Sequence, residues 1–249
     1  MLAILKTTFY VPLYNGLIFL IGIIPGHSVG VAVIAMTILI KLLLFPLSYK
    51  ATKFQMEMKA HEADIKKIKE QFKDDKQAQG KAVLDFYREK GVNPFAGILP
   101  LFIQIPIIIA LYYVFFRGGF PSVDPSLLYS FVAVPPVGMH FFGFDIAGKN
   151  LFLAVLVGLS QFLQGYLASP PLPAKSDKPS FGDDLARGMQ MQMKYFLPLL
   201  MAFVAYQVSG AVALYFITSS LFTVGQELFL RRKLKQKEHL THDNNEKLA

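Results

Sequence analysis

One cationic side chain, Lys41, lies in an otherwise apolar run of the sequence, VGVAVIAMTILIKLLLFPL at residues 29–47. A helix needs roughly 20 such residues, at 1.5 Å each, to cross the hydrocarbon core of a bilayer. An unpaired ammonium at that depth costs about 2.5–3.5 kcal/mol on insertion scales, so such residues usually face a helix-bundle interior or a watery cavity. Lys41 therefore indicates either a polar pocket inside the membrane or an ammonium that reaches out to the lipid headgroups from the helix end.

Further polar side chains lie in the same apolar run and in others. Thr37 is one helical turn before Lys41, on the same face, and Tyr215 and Ser219 are four positions apart in a later apolar run. Ser160, Thr223 and Gln226 add to the polar residues of these runs. Polar residues often serve only to hold membrane helices together, which is the alternative at each position. The candidate lining of a pocket consists of Lys41, Thr37, Gln104, Gln161, Gln164, Tyr215 and Ser219.

The residue types that catalysis requires are missing or scattered. The sequence has no cysteine, which excludes disulfides and thiol chemistry, and its five histidines form no metal-spaced pair on an apolar run. The pair Gly80-Lys81 lacks the other residues of a phosphate-binding loop. Glu227 is the only acid in the apolar runs, which disfavours a proton-coupled transporter. We therefore expect no enzyme activity, no catalytic residue, no metal and no cofactor.

Composition and segmentation predict an all-α polytopic membrane protein. Of the 249 residues, 53% are hydrophobic, and the net charge of +8 is concentrated in particular connecting segments. We predict five core transmembrane helices, at residues 28–47, 94–116, 151–168, 195–208 and 209–230. Between them we predict a cytoplasmic helical hairpin at 48–93, an extracytoplasmic loop at 117–150 and a cytoplasmic linker at 169–194. A basic, largely disordered cytoplasmic tail follows at 231–249.

Two of these segments allow more than one interpretation. Residues 1–27 contain an apolar stretch, 9–25, that is short for a span, so an extracytoplasmic amphipathic helix at the interface is preferred over a sixth span. The hairpin of residues 48–93 fits either a docking element or a solvated spacer. The lysine-rich connections place the N-terminus outside and the C-terminus in the cytoplasm.

Three sequence blocks, in this order, resemble the YidC/Oxa1/Alb3 family of membrane protein insertases. They are TILIKLLLFPLSYK at residues 37–50, VNPFAGILPLFIQIPIIIALYYVF at 92–115 and SGAVALYFITSSLFTVGQ at 209–226. The proline, glycine and glutamine spacing of the second block is specific. The resemblance covers nearly the whole chain and is to bacterial members without a large periplasmic domain, which implies a multi-pass protein of the bacterial inner (plasma) membrane.

The resemblance implies that the five core helices surround a hydrophilic groove, closed on the outside and open to cytoplasm and lipid. Thr37, Gln104 and Tyr215 align with residues that line this groove, and Phe216 stands where some members have a second tyrosine. The usual groove residue at position 41 is an arginine. Lysine keeps the positive charge but loses the planar fork that can hold a carboxylate with two hydrogen bonds.

The expected function is that of an insertase and chaperone, which moves short polar tails of nascent proteins through the positively charged groove and releases their helices into lipid. Its implied partners are nascent membrane proteins, the ribosome, the Sec translocon and membrane lipids, with no specific nucleic acid sequence. The alternatives are a small-molecule or ion-coupled secondary transporter and a structural scaffold. A transporter predicts internal repeats across the membrane plane, and the two halves of the sequence show no convincing one.

Overall fold

The computed structural model describes residues 6–91, 99–117, 122–168 and 191–248, and most of them are helical. The chain forms two compact units. The first consists of residues 1–43 and 104–225, and the second of residues 44–103 and 226–249. The helices are α1 (Val11–Ile23), α2 (Val29–Leu43), α3 (Phe45–Ala60), α4 (Glu62–Gln71), α5 (Lys76–Glu89), α6 (Leu99–Tyr112), α7 (Leu151–Ala168), α8 (Leu197–Gln207) and α9 (Gly210–Leu248).

The length of the described apolar helices tests the five predicted spans only in part. Gly210–Leu234, within α9, is long and apolar enough to cross a membrane by itself. The helices α2 and α3 meet the same criterion only if they are counted together as one broken span. The other apolar stretches among the described residues, Thr7–Ile23, Ile105–Phe115 and Leu151–Leu167, are shorter, so the five-span topology stays a prediction.

The predicted first span, 28–47, is divided at Leu44, where α2 ends and α3 begins. Pro46 lies in the first turn of α3, where its missing N–H costs no helical hydrogen bond. In α6, Pro106 is inside the helix, and Pro100 is the second residue of the helix as described. Pro94, in the predicted span 94–116, lies outside the described residues.

In the first unit, α1 is held to the loop of residues 122–150 by two buried polar side chains. The Asn15 side chain donates to the carbonyl oxygen of Leu127 at 2.8 Å and accepts from the N–H of Tyr129 at 2.6 Å. The Tyr14 hydroxyl accepts from the N–H of Asp124 at 2.8 Å. Because these side chains satisfy backbone groups of the loop, they fix its path over α1. Asp124 also accepts from the N–H of Ser126, as expected of a turn residue.

The loop of residues 122–150 contains a short β-hairpin, which the all-α prediction did not include. Strand β1 (His140–Phe141) pairs antiparallel with β2 (Phe144–Asp145). Phe142 and Gly143 between them have positive φ values of 48° and 83°, as a two-residue turn of the hairpin type requires. The strands have only two residues each, too few for an alternating pattern to be recognised in the sequence.

Gly30 lets the β-hairpin approach α2 closely. A Cβ added at Gly30 would lie 2.8 Å from the Cβ of Phe141 and even closer to its ring. Next to it, the N–H of Val29 donates to the carbonyl oxygen of Gly138 at 2.9 Å, so the backbones are tied together and cannot separate freely. A side chain at position 30 would therefore displace the hairpin from the helix.

We expect Gly30→Ala to lower the free energy of unfolding by about 1–3 kcal/mol, because the added methyl overpacks a close contact. Gly22→Ala is the matched control, since a Cβ there would meet only Pro135 at an ordinary 3.9 Å. Denaturant titration of the two variants in detergent micelles makes the comparison. Equal stability of Gly30→Ala and Gly22→Ala would show that Phe141 does not need the space.

The helices α7 and α8 pack closely against each other. Gly158 faces Ala202 at their contact, where a Cβ at position 158 would lie 3.0 Å from that of Ala202. Small residues at such a contact allow two helix backbones to approach. At the adjoining end of α9, the N–H of Gly210 donates to the carbonyl oxygen of Gly148 at 2.9 Å, which ties the start of α9 to the loop.

In the second unit, α4 and α5 pack side by side as a helical hairpin. The turn between them is short, because α4 ends at Gln71 and α5 already begins at Lys76. Asp75 causes this early start: its carboxylate accepts from the N–H groups of Gln77 and Ala78, both at 3.0 Å. Those two groups would otherwise have no partner within the helix.

Asp75→Ala is expected to destabilise the start of α5 by about 1 kcal/mol, within the range of about 0.5–2 kcal/mol found for lost N-caps. Hydrogen exchange of the amides of Gln77 and Ala78 measures the effect directly. Asp74→Ala removes the same charge one residue earlier and should leave their exchange unchanged. Equal exchange in both variants would mean that the cap contributes nothing.

The prediction of a largely disordered tail was wrong. The helix α9 continues without a break from the apolar run to Leu248. Residues 226–248 contain neither glycine nor proline and are rich in Arg, Lys, Glu, Gln and Leu, all good helix formers. Glu227 and Arg231 add an ion pair at 2.8 Å with the favourable i,i+4 spacing.

Candidate functional site

Lys41 lies in the last turn of α2 and is only partly exposed. Its ammonium donates a hydrogen bond to the hydroxyl oxygen of Thr223 in α9, with a distance of 3.1 Å from Nζ to Oγ1. A cation in the last turn of a helix is favoured by the partial negative charge of that helix end. The side chain is thus held between two helices of the first unit instead of pointing freely into its surroundings.

Thr223 also forms a hydrogen bond with the backbone of its own helix. Its hydroxyl donates to the carbonyl oxygen of Ser219, one turn earlier in α9, at 2.8 Å. The hydroxyl proton is therefore used within the helix and the oxygen lone pairs face the ammonium, which is the orientation that a cation prefers. The result is a short chain of hydrogen bonds from the Lys41 ammonium through Thr223 to the Ser219 carbonyl.

Thr37 and Tyr215 both line a small cavity in the first unit. Both side chains are almost fully buried, and the Thr37 hydroxyl donates to the carbonyl oxygen of Val33 at 2.6 Å. Tyr215 packs edge-on against Phe216, with ring centroids 5.4 Å apart. The cavity is lined by Leu13, Leu17, Val33, Met36, Thr37, Ile40, Leu111, Val114 and Tyr215.

Most of the lining of this cavity is apolar. Seven of its nine residues are apolar, and only Thr37 and Tyr215 contribute polar side chains. An apolar cavity of this kind favours an apolar occupant, because water in it would have too few hydrogen-bond partners. The positive charge of Lys41 is one helical turn away from Thr37 on α2.

Two of the seven predicted lining residues are not joined to this cluster within the described part of the chain. Gln161 and Gln164 lie on α7, and within the described part of the chain no hydrogen bond connects them to Lys41 or Thr223. The side chain of Gln104 lies outside the described residues, although the backbone at this position is helical. The structure therefore brings together Lys41, Thr37, Tyr215 and Ser219, on α2 and α9.

Thr223 was among the polar residues of the last apolar run but not in the predicted lining set. Its position was available in the sequence, because Tyr215, Ser219 and Thr223 follow one another at intervals of four residues and so share one face of a helix. Ser220 was not in the predicted lining set either. Its buried hydroxyl has no hydrogen-bond partner among the described residues. Nothing in the sequence distinguishes it from Ser219.

A metal site is not formed by the residues that the structure describes, since no group of three or more His, Cys, Asp or Glu side chains is close enough to hold an ion. The groups gathered at Lys41 are a fixed cation, hydroxyls and an aromatic ring. They can attract and hydrogen-bond a negatively charged group beside an apolar cavity.

Comparison with known proteins assigns the class. Residues 20–238 match the 60Kd inner membrane protein family, and the chain belongs to this family. It is therefore an inner membrane protein.

The relatives carry a more specific name. A protein of Clostridium tetani (strain Massachusetts / E88) named membrane protein insertase YidC is 32% identical over 220 residues, which cover 88% of each chain. A protein of the same name from Francisella tularensis subsp. novicida (strain U112) is 34% identical over 205 residues. The match covers 82% of this chain but 32% of that longer protein. The name denotes an insertase and no class of enzyme.

Proposed function

We propose that this chain is a membrane protein insertase that uses the Lys41 ammonium to draw a short polar tail of a nascent protein into the membrane. The observation that carries the proposal is the hydrogen bond from Lys41 to Thr223, which holds a positive charge between α2 and α9. The names of the relatives support the activity.

The first step is electrostatic. An acidic tail that enters from the cytoplasm is attracted by Lys41, and at a separation of 4 Å and an effective dielectric constant of 20 the attraction is about 4 kcal/mol. This offsets part of the free energy needed to take polar groups out of water. The tail therefore moves partway across the membrane before its apolar segment leaves the protein.

The second step is the release of the apolar segment into lipid. Removal of apolar surface from water contributes about 25 cal/mol per Å², so a whole transmembrane helix provides many kcal/mol. This exceeds the cost of moving a short tail. No nucleotide is required for the step, and burial of the substrate's own side chains drives it.

The proposed topology has five core spans with the boundaries predicted from the sequence, the N-terminus outside and the C-terminus in the cytoplasm. The density of lysines in residues 48–93 supports a cytoplasmic position for the hairpin of α4 and α5. In this arrangement Gln104, Gln161 and Gln164 face the path of the substrate and hydrogen-bond its polar groups in transit. The helix α1 lies at the outer surface.

The proposed partners follow from the same arrangement. The hairpin of α4 and α5 receives the apolar segment of a nascent chain in the cytoplasm, and the basic end of α9 binds ribosomal RNA through its phosphates, without sequence preference. The Sec translocon and membrane lipids adjoin the spans. Lysine at position 41 keeps the attraction for carboxylates but holds them with less fixed geometry than arginine does.

Reconstitution tests the proposal. The purified protein is placed in liposomes, and a single-span protein with a short acidic N-terminal tail is synthesised in their presence. Protection of the tail from added protease is expected to rise well above that in protein-free liposomes. Equal protection in both kinds of liposome would refute insertase activity.

A further inference from the structure

We infer that the β-hairpin of residues 140–145 is a lipid anchor, whose tip residue Phe142 inserts into the outer leaflet of the membrane at the boundary between headgroups and acyl chains. The inference rests on the proposed topology, in which the outer ends of α2 and α7 lie at this surface. It concerns the attachment of the loop to lipid and not the path of the substrate.

The tip of the hairpin carries an exposed aromatic ring in an unusual backbone conformation. Phe142 is 87% exposed and has a φ of 48°. Its place in a two-residue turn favours asparagine or aspartate before the glycine, because bulky residues rarely adopt positive φ. In water, both the exposed ring and the backbone would be unfavourable. Lipid would cover the ring and so account for a phenylalanine at this position.

Two contacts fix the position of the β-hairpin relative to the helix ends. Phe141 packs over Gly30, the second residue of α2. Phe144 stacks on Phe152, the second residue of α7, with ring centroids 5.3 Å apart and planes inclined by 11°. Both anchoring points are therefore at the beginnings of apolar helices. If those helices span the membrane, then the hairpin lies at the outer interface, where aromatic side chains are enriched.

The surface around the hairpin continues onto a helix face that is suited to lipid. Leu151, Phe152, Val155, Leu159 and Leu163 are all exposed, and they form a stripe along α7. Phe144 joins this stripe through its stack on Phe152. No charged residue occurs from Phe141 to Phe144; Asp145 follows in β2, and the Lys149 ammonium beyond it donates to the side-chain oxygen of Gln207 at 2.8 Å. Because this apolar surface is continuous from the β-hairpin to α7, we infer that lipid covers it.

The sequence offers a direct test because it contains no tryptophan. Each variant therefore has a single indole. Phe142→Trp reports on the tip of the β-hairpin, Leu159→Trp on the exposed stripe of α7, and Phe72→Trp on the turn between α4 and α5. Each protein is reconstituted in phosphatidylcholine vesicles with or without acyl-chain brominated lipid, and acrylamide probes access from water. Far-UV circular dichroism verifies folding, and Phe144→Trp serves as a second reporter of the same hairpin.

We expect brominated lipid to remove at least about half of the emission of Trp in Phe142→Trp and Leu159→Trp, but little of it in Phe72→Trp, because only the first two indoles touch lipid. Quenching of Leu159→Trp without quenching of Phe142→Trp and Phe144→Trp would overturn the anchor and leave the α7 span intact. Absence of lipid quenching from all of them would overturn the proposed topology as well. Protection of Phe142→Trp from both quenchers would indicate a protein partner and contradict the inference.

Discussion

Lys41→Ala is expected to lower the insertion of proteins with acidic N-terminal tails about tenfold or more, because each 1.4 kcal/mol of lost attraction is a factor of ten and the ammonium provides several kcal/mol at contact distance. Lys41→Arg keeps the charge and should retain most of the activity. The measurement is protease protection of the translocated tail in reconstituted liposomes. Substrates whose tails carry no acidic residue should be affected much less.

The matched control is Lys66→Ala, which removes an exposed lysine of α4 that is 3.9 Å from Glu70. Its insertion activity should equal that of the unmodified protein. Lys41→Ala should not be less stable, since a partly buried charge is costly and its removal relieves that cost. A loss of insertion with unchanged folding is therefore diagnostic. Equal activity of Lys41→Ala and the unmodified protein on acidic tails would contradict the electrostatic step.

Thr223→Val is expected to lower the free energy of unfolding by about 1–3 kcal/mol, because the ammonium of Lys41 loses the hydroxyl that accepts its hydrogen bond. Valine has nearly the shape of threonine, so packing changes little. In the background Lys41→Met, which has no ammonium to satisfy, the same replacement should cost much less. A double-mutant cycle, with unfolding measured in detergent micelles, gives the coupling free energy.

Thr37→Val is the matched control for this cycle. Thr37 donates to the carbonyl of its own helix, as Thr223 does, but the bond to Lys41 belongs to Thr223. Replacement of Thr37 should therefore cost the same with lysine or methionine at position 41. A cost for Thr223→Val that is also independent of residue 41 would show that the two side chains do not interact.

The chain is mostly helical, as the long apolar runs and charged, periodic stretches of its sequence indicate. The helix ends were less well predicted. Asp75 sets the start of α5 inside the predicted hairpin of residues 48–93, since a single capping side chain can fix where a helix begins. The tail after Leu230 was predicted to be disordered from its charge, although it contains no helix breaker and α9 simply continues.

Long-range contacts were the part that the sequence did not reveal. Asn15 lies in the apolar stretch of residues 9–25, and its side chain bonds to the loop more than 100 positions later. Such a bond depends on the tertiary approach of two segments, which one sequence does not contain. Gly30 likewise appeared as one more residue of an apolar run, and only its contact with Phe141 gives it a function.

Helical periodicity predicts which polar residues share a helix face, but not which helix faces meet. Lys41 and Thr37 share a face of α2, and Tyr215 and Ser219 share a face of α9, as helical periodicity requires. Whether two such faces meet depends on how the helices pack. The cavity beside Thr37 and Tyr215 is largely apolar, because α1 and α6 contribute the side chains of Leu13, Leu17 and Leu111.

The absence of cysteine from the sequence permits the most direct test of the central claim, that a nascent helix passes beside Lys41 and α9. A single cysteine in Ser219→Cys is combined with one cysteine in the apolar segment of a ribosome-stalled single-span protein. Ser126→Cys, in the loop outside the site, is the control. We predict a disulfide crosslink to position 219 that forms only at certain stalled lengths. No crosslink at any length, with the protein folded and membrane-integrated, would contradict the account.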